Sequence, residues 1–135
     1  MRTKTKLTLA AISLAATLAG CAGPMPKADP NEAWVGLQDD VADAMLAEKV
    51  DGRRVNDGRY FEVKPGDHKL SVLLFHVYTA NEADNCTGSL DYSHFRAGQH
   101  YTLVESKRGP QVNVKLDDAQ GKALTSVQNM SCMPS

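Results

Sequence analysis

Turn signals recur so closely along this chain that little besides short strands fits between them. Asp51-Gly52, Lys64-Pro65-Gly66-Asp67, Ala97-Gly98, Lys107-Arg108-Gly109-Pro110 and Asp118-Ala119-Gln120-Gly121 break up the region after Trp34. Runs rich in Val, Leu, Tyr and Phe lie between them, and strands at such spacing with Gly/Pro turns predict an all-β sandwich of about seven or eight mostly antiparallel strands.

Trp34-Val35-Gly36-Leu37 reads as a first strand. Asp39 to Glu48 is ambiguous: Val41, Met45 and Glu48 have helical spacing and an aspartate to cap them, so a brief helical turn is expected before a strand that ends at Asp51-Gly52. Tyr60-Phe61-Glu62-Val63 is a strand, and the Pro-Gly pair after it predicts a type II turn. His68 to Tyr78 has apolar residues at both parities, so it is expected to be a central strand covered on both faces. Residues 79–86 read as a polar loop, and three runs follow as strands: Gly88 to Phe95, His100 to Glu105 and Gln111 to Leu116. Leu124 to Gln128 is expected to be the last strand before Cys132. Val63-Lys64-Pro65-Gly66-Asp67-His68 and Phe95-Arg96-Ala97-Gly98-Gln99-His100 match in character position by position, which suggests two similar hairpins.

The amino-terminal end has a different organisation. Arg2, Lys4 and Lys6 precede an uncharged stretch from Leu7 to Leu18, and Leu18-Ala19-Gly20-Cys21 reads as a lipobox. A basic head, an apolar segment of about a dozen residues and a small-residue cleavage site make a secretory signal, too short for the roughly 20 residues that span a bilayer. The expected division is a signal peptide over 1–20, a lipidated Cys21 with a flexible tether over 21–33, and a sandwich domain over 34–135. No cofactor is expected beyond the covalent lipid on Cys21. Two or more acyl chains make attachment stable, and Ala22 after the cysteine points to the outer membrane, facing the periplasm. Removing the signal takes the net charge from −1 to about −4. A mildly acidic domain has no electrostatic footprint for nucleic acid and no basic cluster for an anionic leaflet. With Cys21 committed to lipid, Cys86 and Cys132 are an even pair in an oxidising compartment, and a disulfide between them is expected. A loop of that length corresponds to about 4 kcal/mol in the chain-entropy treatment. The alternative is a free thiol in a metal or redox site.

Val50-Asp51-Gly52-Arg53 followed by Tyr60-Phe61-Glu62-Val63-Lys64-Pro65-Gly66-Asp67-His68-Lys69-Leu70-Ser71-Val72 resembles the PEGA type of small β module. The match covers about 25 residues and lacks the acidic-glycine-alanine ending of that family. The chain after Cys21 also resembles small bacterial envelope lipoproteins with one disulfide. This resemblance implies a transthyretin-like or immunoglobulin-like sandwich without catalytic machinery, although a fold by itself confers no activity.

Candidates for chemistry are few. His68 and His76 share one strand but stand about 26 Å apart. His94 and His100 flank the Ala97-Gly98 turn, and with Asp91 they are the candidate metal ligands. Met130-Ser131-Cys132-Met133 offers soft ligands for Cu(I) only if Cys132 is reduced. Asp39-Asp40 with Asp43, and Asp117-Asp118, read as solvated surface charge. The chain has no G-x-S-x-G, S-x-x-K or C-x-x-C nucleophile signature, so no enzyme activity is expected. Aromatic residues, Trp34 and Tyr60 among them, read as core or cross-strand pairs, with sugar stacking as the other option. The expected function is a non-enzymatic outer-membrane lipoprotein whose sandwich binds a protein partner or an envelope polysaccharide. A small-ligand or metal-binding lipoprotein and an inhibitor of a cell-wall hydrolase are the alternatives.

Overall fold

A computed structural model describes residues 23–127 and 129–135, with Arg108 described by its backbone alone. Cys21 and the signal segment lie outside the described residues.

Among the described residues ten strands form: β1 (Ala33–Gln38), β2 (Ala44–Val50), β3 (Arg53–Arg54), β4 (Tyr60–Val63), β5 (Gly66–Thr79), β6 (Glu82–Phe95), β7 (His100–Arg108), β8 (Gln111–Asp117), β9 (Ala123–Ser126) and β10 (Ser131–Pro134). They pack as two five-stranded sheets. Sheet one has the order β4-β1-β7-β8-β9, and sheet two the order β10-β6-β5-β2-β3. The β1–β7 pair is parallel and the other pairs are antiparallel.

The alternation in each strand builds the core. Val35, Phe61, Val63, Tyr101, Leu103, Val114 and Leu116 of sheet one face Met45, Ala47, Leu70, Val72, Leu74, Cys86, Leu90 and Phe95 of sheet two. Tyr92, Phe95 and Tyr101 close one part of it edge to face, with ring centroids 4.9 to 6.0 Å apart, the geometry that the aromatic quadrupole favours.

Several sequence expectations change. The sandwich has ten strands rather than seven or eight, because the two-residue β3 and the Cys132-bearing β10 carry no alternation of their own. Residues 39–43 form a turn, closed by an Asp43 N–H to Asp40 C=O bond of 3.1 Å, and not a helical one. Residues 82–86 belong to β6, so the expected loop shrinks to Ala80-Asn81. Of those five only Cys86 is fully buried, which erases the apolar signal while leaving the ladder to β5 intact. β5 is not covered on both faces: Leu73 is half-buried, and Phe75 and Val77 are exposed on its outer side.

The two matching turn segments are not hairpins. Residues 63–68 carry the chain from sheet one to sheet two, and residues 95–100 carry it back. Gly66 pairs with Phe95, so the two crossings lie side by side. Gly66 has φ of +115°, the positive region the Pro-Gly pair suggests. Asp51-Gly52 does make a hairpin turn, with both φ values positive, at 50° and 80°. That is the type I′ requirement for which Asp-Gly is suited.

Asp29 N–H donates to Glu62, Gly98 N–H donates to the Glu32 carbonyl, and Arg59 Nη1 donates to the Gly23 carbonyl. The described stretch before β1 is therefore fastened along the sandwich at three points, where composition alone suggests a free tether.

Candidate functional site: a histidine–carboxylate cluster between the sheets

The alternation that builds the core carries two ionisable residues into it. On β5 the inward series Leu70, Val72, Leu74 continues to His76. On β7 the inward series Tyr101, Leu103 continues to Glu105. The turn between β1 and β2 contributes Asp43, which enters beside them. The His76 and Asp43 side chains are only 9% and 2% exposed. Polar atoms of Asp43, His76 and Glu105 all lie within 4.8 Å of one another.

Each carboxylate is oriented by one backbone donor. Val77 N–H donates to Asp43 Oδ1 at 2.8 Å, and Asp40 N–H donates to Glu105 Oε2 at 2.8 Å. The other oxygen of each group is left for the cluster. Asp43 Oδ2 lies 2.6 Å from His76 Nδ1, while Glu105 Oε1 is buried with no donor of its own. A proton shared with the adjacent Asp43 carboxyl satisfies that atom, and a cation would do so as well.

The electrostatics follow. Burial, reinforced by the hydrogen bond to Asp43, pushes the Glu105 carboxyl up to about 7. Burial also pushes Asp43 upward, but hydrogen bonds from Glu105, Val77 and His76 together outweigh it and hold Asp43 below the usual range. Around the cluster, Lys107 Nζ bonds Asp40 at 2.6 Å. The Tyr78 ring stands edge-on to His76 at 4.4 Å and donates its hydroxyl to Asp84 at 2.6 Å.

Asp43 is thus not solvated surface charge, and neither is Asp117, which is buried beside Lys115 at 3.1 Å. His76 matters through Asp43 and Glu105, which the His68–His76 spacing does not reveal. His68 pairs with Asp51 at 2.6 Å and with the Lys64 carbonyl at 2.7 Å, pinning the β2–β3 turn to β5.

His94 and His100 do come to one open depression, with Arg96, Tyr101 and Asp118 on its wall. They reach it from different sheets: Phe95 and Tyr101 face the core, so their neighbours face out. Among the described residues, the group of three metal-type ligands within reach of one another is the Asp43 cluster, without His94, His100 or Asp91. Cys86 and Cys132 are bonded, at directly opposed positions of β6 and β10. This commits the sulfur of the Met130–Met133 tail, whose Met130 packs on the core while Met133 is exposed. Trp34 and Tyr60 stack on one another at 4.2 Å.

A second surface lies on the outer side of sheet two. Leu46 and Leu73 are register partners on β2 and β5, and Phe75 and Val77 continue the same face. Leu46, Phe75 and Val77 are 39%, 37% and 36% exposed. Asn85 and Thr87 of β6, opposite Phe75 and Leu73, form its polar border. No helix among the described residues is long and apolar enough to cross a membrane. No protein family, curated protein or solved structure matches the chain.

Proposed function

We propose that this chain is a lipid-anchored, non-enzymatic lipoprotein of the outer membrane whose sandwich binds a protein partner from the periplasmic side. The lipobox at Leu18–Cys21 supports the anchor, and the disulfide suits an oxidising compartment. The resemblance of residues 50–72 to PEGA-type modules agrees with a non-enzymatic sandwich.

The observation that carries the binding reading is the contiguous strip Leu46, Leu73, Phe75 and Val77. An isolated exposed apolar residue is ordinary, but a connected patch with a polar border marks an interaction surface. An aromatic and three branched aliphatics fit the centre of a protein interface. The partner is a protein rather than the leaflet, because the domain is net acidic and the strip's neighbours on β6 are Asn and Thr instead of Lys or Arg.

Photo-crosslinking in cells tests this reading. A crosslinking residue at position 75 or 77 is expected to give one discrete adduct, and the adduct at 77 is expected to vanish when Phe75→Asp is added. Position 122, exposed on the turn before β9, is expected to give none. Absence of adducts at both strip positions, or equal adducts at 122, overturns the reading.

A further inference from the structure

Three features of the Asp43 cluster go beyond what a structural ion pair needs. Its groups come from both sheets and from the turn joining β1 to β2, so it sits where three separately held segments converge. Each carboxylate spends one oxygen on a backbone N–H and aims the other inward, the supporting arrangement that orients metal ligands. The inward oxygen of Glu105 has no partner other than the adjacent Asp43 carboxyl, with which it shares a proton that a cation would displace. One imidazole nitrogen and two carboxylate oxygens lie within 4.8 Å of one another.

That donor set selects its cation. Imidazole with carboxylate suits zinc and its transition-metal neighbours. Calcium requires six to eight oxygens, more than this cluster supplies. Bonds of about 2.1 Å around a tetrahedral ion place ligand atoms about 3.4 Å apart. The three atoms here need to close by about 1.4 Å at most from their 4.8 Å limit, while the 2.6 Å His76–Asp43 contact opens. The fourth position would fall to water.

We propose that Asp43, His76 and Glu105 form a site for one divalent transition-metal ion of the zinc class, held between the two sheets. The site lies on the opposite face of β5 from the partner-binding strip, and the two share only the backbone of Val77, whose N–H holds Asp43. It uses none of the surface histidines 94 and 100.

Calorimetric titration of the full-length protein in detergent, stripped with EDTA and supplied with zinc chloride at pH 7.5, tests the site. One equivalent is expected to bind, with a rise in melting temperature. Glu105→Gln, isosteric with a protonated glutamate and able to donate to Asp43, is expected to fold and to weaken binding at least a hundredfold. Outer partners of metal ligands alone cost 10- to 100-fold. His94→Gln with His100→Gln is expected to leave zinc binding unchanged. No stoichiometric binding to the wild-type protein overturns the proposal. Binding that survives Glu105→Gln and disappears with the surface histidines also overturns it.

Discussion

Glu105 is the residue where the fold and its chemistry meet. It occupies an inward position on β7, two residues past the buried Leu103, and its ionised form is disfavoured by burial and by the neighbouring Asp43. In the metal-free protein its carboxyl titrates at about 7, against 4.5 when unperturbed. Between those values the folded state keeps a proton that the unfolded chain has released. Stability therefore falls as pH rises from about 5 to about 7, and levels off above that. Asp43, held below its ordinary range, acts in the opposite sense: its contribution is present at neutral pH and is lost as pH falls below about 4. At about 1.4 kcal/mol per pKa unit, reduced for the solvent that reaches a half-buried carboxyl, the Glu105 loss is about 1–2 kcal/mol. Urea melts in EDTA across that window check it, and Glu105→Gln is expected to flatten the slope. A wild-type stability that rises between pH 5 and 7 contradicts the assignment. The sequence holds a signal for this residue, since continuing the inward parity of Leu70-Val72-Leu74 and Tyr101-Leu103 reaches His76 and Glu105. Nothing in the chain around Asp43 shows that its turn carries it to them, because that convergence depends on which strands share a sheet.

Among the elements, strands with an apolar face and a polar face were legible from alternation and turn chemistry: β1, β4, β8 and the second half of β2 fall close to their expected places. Segments that pair without burying apolar surface were not. Residues 82–85 and β10 are held by ladder bonds and by the Cys86–Cys132 link, which hydrophobic periodicity does not report. The turn segments 63–68 and 95–100 show the same limit from the other side, since hairpin-like chemistry also serves a crossing between sheets. Gly88 marks another crossing. It faces inward between Cys86 and Leu90, and Val127 and Met130, from the stretch after β9, lie over it. A Cβ there would overlap Met130 Sδ and lie 2.7 Å from Val127 Cγ1. Val127 is fully buried and has little room to yield, so Gly88→Ala is expected to cost about 1–3 kcal/mol through overpacking. That corresponds to several degrees of melting temperature. Gly58→Ala, whose added Cβ meets only ordinary contacts at 3.5 Å and beyond, is the matched control. Equal melting temperatures for the two variants would show that the crossing is looser than described.

At the scale of the whole molecule, the two sheets form one core with different features on different surfaces. The buried cluster lies between the sheets, the apolar strip lies on the outside of sheet two, and the amino-terminal stretch is fastened along the body at Gly23, Asp29 and Glu32. Cys21 lies two residues before Gly23, at most about 7 Å along an extended chain. While the Arg59–Gly23 contact holds, an acylated Cys21 would keep the sandwich close to its leaflet and not at the end of a long tether. The partner-binding reading depends on that anchor to place the domain in the envelope. Mass spectrometry of the protein extracted from native membranes tests the anchor most directly. The account predicts a chain that begins at Cys21, with a diacylglyceryl thioether on its sulfur and an acyl chain on its amino group. A chain that retains Met1, or an amino-terminal Cys21 without lipid, would contradict it.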